Sequence, residues 1–144
     1  MRPPLVCYET QDEYLEHFKG KYCSYPIKTF DEIEVKFYED MFEHAFYESS
    51  NKRGNKDTFS LKRAQRIDWI EDVLTDDNAE LYIGYDSRTK SYDNSRRVAI
   101  ITEDDYVVII RLIRDKQAKF VTAYLADSGR TATEIRKSPE WAKK

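Results

Sequence analysis

The stretch RVAIITEDDYVVIIRLIRDKQAKFVTAYLAD, Arg97 to Asp127, decides the fold. Its runs of Ile, Val and Tyr, parted by a tight DD turn and by DKQA, read as strands, because β-branched and aromatic residues suit a pleated, half-buried surface. They are placed at Arg97–Glu103, Tyr106–Ile113 and Lys119–Leu125, and another, Leu81–Tyr85, precedes them across DSRTKSYDNSR. Links this short join antiparallel neighbours, since a parallel crossover needs about a dozen residues or more. A four-stranded antiparallel meander is expected.

Counting back from a Glu103–Tyr106 pair and an Arg114–Lys119 pair sets the register and places Arg111 opposite Thr122. One face then holds Ala99, Ile101, Val108, Ile110, Leu112, Val121, Ala123 and Leu125, an apolar seat for a helix. The other holds Val98, Ile100, Val107, Ile109 and Phe120, with Thr102, Arg111, Thr122 and Tyr124. Thr122 and Tyr124 put hydroxyls where an apolar layer would suffice, so that end is either wet or a site.

Upstream the period is helical. Thr10 and Glu13 have capping-box spacing, and TQDEYLEHF offers a short helix that Gly20 can end. TFDEIEVKFYEDMFEHAFYES opens with a second such box, Thr29 with Glu32. Its apolar residues Phe30, Ile33, Phe37, Met41 and Ala45 predict one long amphipathic helix. SSNKRGNKDT is a loop. SLKRAQRIDWIEDVL starts at a Ser60 N-cap and predicts a third helix with Leu61, Ala64, Ile67, Ile70 and Leu74 in its stripe. The tail from Asp127 is polar, with a late Trp141.

Helices followed by strands give an α+β class, with N-terminal helices packed on the four-stranded antiparallel sheet. A length of 144 residues fits a single domain over 1–144, with an acidic helical part and basic loop in 1–58 and the helix, sheet and polar tail in 59–144. With 40% hydrophobic and 14% aromatic residues the chain is globular rather than disordered.

The net charge of −3 argues against a protein that coats nucleic acid through its whole field. The distribution is uneven: residues 1–50 carry eleven acids against five bases, a net −6, and residues 51–144 carry 16 acids against 19 bases, a net +3. From Lys52 to Arg66 the bases Lys52, Arg53, Lys56, Lys62, Arg63 and Arg66 face Asp57 alone, which suits an anionic partner or a solvated face.

Several chemistries lack their residues. Cys7 and Cys23 have no companion Cys/His pairs, and there is no HExxH, so neither a structural nor a catalytic zinc is expected. GxxxxGKS/T, GxGxxG and GxSxG are absent too. With no secretory start and no membrane-length apolar run, the expectation is a cytoplasmic protein without membrane contact, cofactor or metal.

Certain residues sit badly in a plain core. On a helical wheel Arg63 falls near the centre of the third helix's apolar stripe, with Arg66 at its edge. An inward guanidinium must find a carboxylate, a carbonyl or an anion. His44 falls on the apolar stripe of the second helix beside Phe37, whereas His17 lies in the acidic first helix. A core histidine with a satisfied hydrogen bond and an internal salt bridge are the plainer alternatives. Taken together, His44, Arg63, Arg66, Arg111, Thr122 and Tyr124 suit metal-independent phosphodiester cleavage. That chemistry needs a group of near-neutral pKa, cations for the phosphorane, and hydroxyls to hold the phosphate.

FEHAFYES, then a basic loop, then SLKRAQRIDWIEDVL, then strands ending in KFVTAYLAD resembles the phage-associated branch of the barnase/EndoU/colicin/RelE-like (BECR) nuclease superfamily, from about His44 to Asp127. The resemblance implies helices on a four-stranded antiparallel sheet and endoribonuclease activity. His44 matches the family's helix histidine, Arg63 and Arg66 its basic positions, and Thr122 its polar strand position, followed by Tyr124. Lys52, Arg53, Lys62 and Arg111 are then substrate-binding candidates. RNases of this kind act as toxins or effectors of phages and mobile elements, which implies RNA as substrate and an antitoxin or immunity protein as partner.

The chain departs from the family's pattern in two ways. The better-known enzymes often carry a carboxylate base on a strand, for which only Glu103 stands here, and the acidic first fifty residues are atypical of a small RNA-binding toxin. A non-catalytic RNA- or protein-binding module and a phage structural protein are the alternatives.

Overall fold

A computed structural model describes residues 3–30, 32–48, 58–77, 79–83, 85–86, 91–92, 97–102, 105–114 and 116–126. The helices are α1 (Gln11–Phe18), which runs on into a π-helical turn (Lys19–Cys23), α2 (Met41–Phe46), α3 (Leu61–Gln65) and α4 (Trp69–Leu74). The strands are β1 (Ile27–Lys28), β2 (Glu34–Lys36), β3 (Tyr47–Glu48), β4 (Thr58–Phe59), β5 (Glu80–Ile83), β6 (Tyr85–Asp86), β7 (Ser91–Tyr92), β8 (Arg97–Ile101), β9 (Tyr106–Arg114) and β10 (Gln117–Leu125). The class is α+β. Its main sheet has six strands among the described residues, in the order β1-β2-β10-β9-β8-β5, and β3–β4 and β6–β7 are separate ribbons.

The capping box of α1 forms as expected: Glu13 N–H donates to the Thr10 hydroxyl, and the Glu13 carboxylate accepts from Thr10 N–H. Gly20 does not end the helical run; it lies inside the π-helical turn.

Of the two strands beyond the expected four, β2 comes from the stretch read as one long helix, and β1 lies just before it. Thr29 does not start a helix. Its hydroxyl accepts from Ile33 N–H at 3.0 Å and its N–H donates to Ile33 O at 2.8 Å, closing a turn in which Glu32 has φ 69°. From there Ile33, Val35 and Phe37 are buried while Glu34, Lys36 and Tyr38 are not, a period of two that competes with the helical period in the same letters. β2 pairs with β10 in parallel, Val35 opposite Ala118 and Lys36 opposite Lys119, and β1 covers the outer edge of β2. Only Met41–Phe46 keeps the helix.

The third expected helix also divides. Arg66 leaves the helical region at φ −96°, ψ 20°, and α4 begins at Trp69. Buried phenols add to the backbone bonds at the break: Tyr22 Oη donates to Ile67 O at 2.5 Å and Tyr106 Oη to Arg66 O at 3.4 Å. Burial raises the pKa of both phenols, so they stay protonated donors. Ala64, Ile67, Ile70 and Leu74 are fully buried, as the wheel implies.

The helices cover one face of the sheet. Phe18 is central, with edge contacts to Phe37, Phe42 and Phe46 at centroid distances of 5.8–6.1 Å. It also meets Phe120 at 6.1 Å, and Phe37 stacks on Phe120 at 4.8 Å. Val98, Ile100, Val108, Ile110, Phe120 and Ala123 belong to this cluster. Ala99, Ile101, Val107, Ile109 and Val121 form a second one on the opposite face.

This partition corrects the expected grouping, which joined Ala99 and Ile101 with Val108 and Ile110. The β8–β9 turn closes on Thr102 and Tyr106, with Asp105 at φ 62°, rather than on Glu103. That three-residue loop with a left-handed last residue shifts β8 by one position and exchanges its faces. In β10 a bulge between Phe120 and Thr122 inserts Val121. The β9–β10 turn closes on Arg114 and Gln117 rather than on Arg114 and Lys119, so Arg111 pairs with Lys119 and Thr122 with Ile109.

α1 is tied to the α3–α4 break by a polar chain. His17 Nε2 lies 2.8 Å from Asp68 Oδ1, and its Nδ1 lies 2.8 Å from Tyr8 Oη. Lys21 Nζ donates to the same Asp68 oxygen at 3.0 Å. Burial works against ionising Asp68, but the hydrogen bonds from Lys21 and His17 outweigh it, and its carboxyl is held below the ordinary range. Its contribution to stability is thus present above about pH 3.9, the unfolded value, and is lost as pH falls through the lower folded value. Asp68→Asn should cost about 1 kcal/mol at pH 7, and the difference from the parent should vanish in acid below that window. Urea unfolding at pH 7 and pH 2 checks it, and a deficit that persists at pH 2 would show that charge is not the cause.

Candidate functional site

α2, α3 and β10 meet where β2 stops. β2 pairs with β10 only as far as Lys119, and beyond that point α2 and α3 pack along β10. Ser60 caps α3 by accepting from Arg63 N–H at 3.3 Å, which fixes the first turn and the start of the Arg63 side chain. The Arg63 guanidinium donates to Ala45 O at 3.3 Å, and its Cζ lies 5.5 Å from the centre of the Tyr124 ring. Ala45 directly follows His44, so the α2 backbone at His44, the α3 cation and the β10 phenol converge. The His44 side chain lies outside the described atoms.

Thr122 lies two residues before Tyr124 on β10. It is only 7% exposed, and its hydroxyl is buried without a hydrogen-bond partner. An unsatisfied buried hydroxyl costs about 1–3 kcal/mol. Arg111 is not directly opposite Thr122, as expected, but two residues along β9 from Thr122's partner Ile109. That makes it a diagonal neighbour at roughly 7–8 Å, within reach of a long side chain. Thr122 thus lies between a cation on the neighbouring strand and the Arg63–Tyr124 pair.

Arg66 is engaged elsewhere. It donates to Lys62 O at 2.8 Å, its guanidinium lies 5.2 Å from the centre of the Trp69 ring, and its Nε is buried without a partner. Together with Arg63 it exerts a pull toward ionisation on Tyr106, which burial outweighs. Lys62 is exposed on α3. Lys52, Arg53, Glu103 and Trp141 lie outside the described residues.

Sequence reasoning missed Lys36 and Lys119, which lie on the sheet beyond Arg111. The signal was present as a base between two apolar residues in VKF and AKF. It was hidden in the first case because that stretch was read as helix.

Among the described residues no three of His, Cys, Asp or Glu gather as a metal site, and no helix is long and apolar enough to cross a membrane. A cleft of about 470 Å³ lies elsewhere, lined by Gln11, Leu15, Glu39, Asp40, Phe42 and Glu43. Its acidic rim repels a polyanion and does not serve phosphate chemistry. Compared with family models, curated proteins and solved structures, the chain matches none.

Proposed function

We propose that the Arg63–Tyr124–Thr122 site binds and cleaves the RNA backbone without a metal, as the resemblance to BECR nucleases implies. The observation that carries this reading is the buried, unpartnered Thr122 hydroxyl beside a paired cation and phenol. A fold that leaves a hydroxyl unsatisfied there has a donor free for a phosphate oxygen, and Arg63 supplies the charge that phosphate needs.

In the reaction the 2′-hydroxyl attacks phosphorus and gives its proton to a base, for which His44 is the candidate. The bond from phosphorus to the 5′-oxygen breaks, and that oxygen takes a proton from Tyr124. A 2′,3′-cyclic phosphate and a 5′-hydroxyl result. Arg63 and Arg111 offset the charge that develops on the phosphorane.

The test is RNA cleavage by purified protein in EDTA, followed by end-group analysis. Cyclic-phosphate ends are expected from the parent and none from His44→Ala. Thr122→Val should cut the rate about tenfold while leaving thermal stability equal or higher, because an apolar isostere removes an unsatisfied group. No cleavage by the parent, with RNA binding that weakens as salt rises, would favour the non-catalytic binding module.

A further inference from the structure

We propose that Lys36, Lys119 and Arg111 form a phosphate-tracking row that carries single-stranded RNA across the sheet toward Thr122. The inference rests on reading that site as one for RNA. It stands on register: Lys36 is directly opposite Lys119, and Lys119 directly opposite Arg111, with Arg97 at the next register position on β8.

Alternation fixes the face. Lys36 stands between Val35 and Phe37, Lys119 between Ala118 and Phe120, and Arg111 between Ile110 and Leu112, all of which pack in or against the helix-side core. The bases therefore project from the opposite face, the one that carries Thr122.

Like charges directly opposite one another destabilise a sheet. Here they recur across consecutive strand pairs with no acid in the row. Lys36 is exposed, and neither Lys36 nor Lys119 has an ion-pair partner among the described residues. The neighbouring row, Lys28, Glu34, Gln117 and Arg114, is interrupted by an acid and an amide.

At about 4.8 Å between strands, the row from β2 to β9 spans roughly 10 Å, a line of charge suited to successive backbone phosphates. Tyr38, two residues past Lys36 and 45% exposed, offers a ring on which a base can stack. A line of cations beside an exposed ring fits single-stranded nucleic acid better than an acidic protein surface.

The experiment uses the full chain and a fluorescent 12-nucleotide RNA carrying 2′-O-methyl groups throughout, which cannot be cleaved by 2′-attack. Binding is titrated from 20 to 300 mM salt for the parent, Lys36→Gln and Lys36→Gln/Lys119→Gln. Each phosphate contact contributes about 0.7 to the slope of log affinity against log salt. The slope should therefore fall by about 0.7 in the single variant and about 1.4 in the double. Affinity in the double variant at 100 mM salt should drop at least tenfold.

An unchanged slope in the double variant, or no binding by the parent at 20 mM salt, overturns the row. So does a parent that binds poly-glutamate more tightly than the oligonucleotide, since that outcome points to an acidic protein. Cleavage of the all-ribose version by the parent is scored separately. A changed slope without cleavage would leave the row standing and remove the nuclease reading.

Discussion

On the proposed ribonuclease reading, Arg63→Ala should lower the RNA-cleavage rate by about 10²–10³-fold, the usual effect of removing one preorganised donor from developing transition-state charge. Arg63 is suited to that place because its fork is held from two sides: the Ala45 carbonyl takes one N–H, and the Tyr124 ring supports the guanidinium plane. Lysine keeps the charge but lacks the planar fork, so Arg63→Lys should recover only a small part of the loss. The fold should tolerate both changes. Arg63 is half-buried, and its cation–π contact is worth about 0.5–1 kcal/mol at such a place. Single-turnover rates on a short RNA, with melting temperatures measured alongside, separate the two effects. A rate within threefold of the parent in Arg63→Ala would remove Arg63 from the chemistry.

The parts of the fold that sequence made legible were those in which one periodicity stood alone. Tyr106 to Leu125 carries β-branched and aromatic residues that do not match a helical face, and it folds as two strands. Thr29 to Ser49 was ambiguous: Phe30, Ile33, Phe37, Met41 and Ala45 satisfy the helical spacing, while Ile33, Val35 and Phe37 satisfy the strand spacing. Tertiary context decided it, because the exposed edge of β10 gains backbone hydrogen bonds from β2 and its core gains Val35 and Phe37.

Register was less legible for a different reason. A left-handed Asp105 and a β9–β10 turn that closes on Gln117 rather than Lys119 leave no trace in hydrophobic pattern, yet each shifts the register. The candidate site survived both shifts in part. Thr122 and Tyr124 share a strand and Arg63 meets Tyr124, while Arg111 moved one diagonal away. The Tyr8–His17–Asp68 chain could not be read from sequence at all, because His17 and Asp68 are 51 positions apart. No local pattern joins them.

The expected lengths of the helices failed in an informative way. α2, α3 and α4 are six, five and six residues long, below what isolated helices need in water. They hold their shape through the face they bury, and Phe18 is the centre of that burial. Its ring is fully enclosed and meets aromatic residues from the β2 end, α2 and β10.

Phe18→Ala should therefore destabilise the protein by about 3–5 kcal/mol, a large fraction of the roughly 5–15 kcal/mol typical of a folded domain. Phe18→Leu, which keeps most of the volume, should cost about 1–1.5 kcal/mol. Guanidinium unfolding gives both numbers. A loss below 1 kcal/mol in Phe18→Ala would mean that the surrounding rings collapse into the space, and that α2 does not depend on this contact. With the expected loss, and on the proposed ribonuclease reading, RNA cleavage by Phe18→Ala should fall well below its melting temperature. Phe18 joins α2 to β10, so removing it loosens the Ala45 carbonyl that holds Arg63 over Tyr124 before the chain unfolds as a whole.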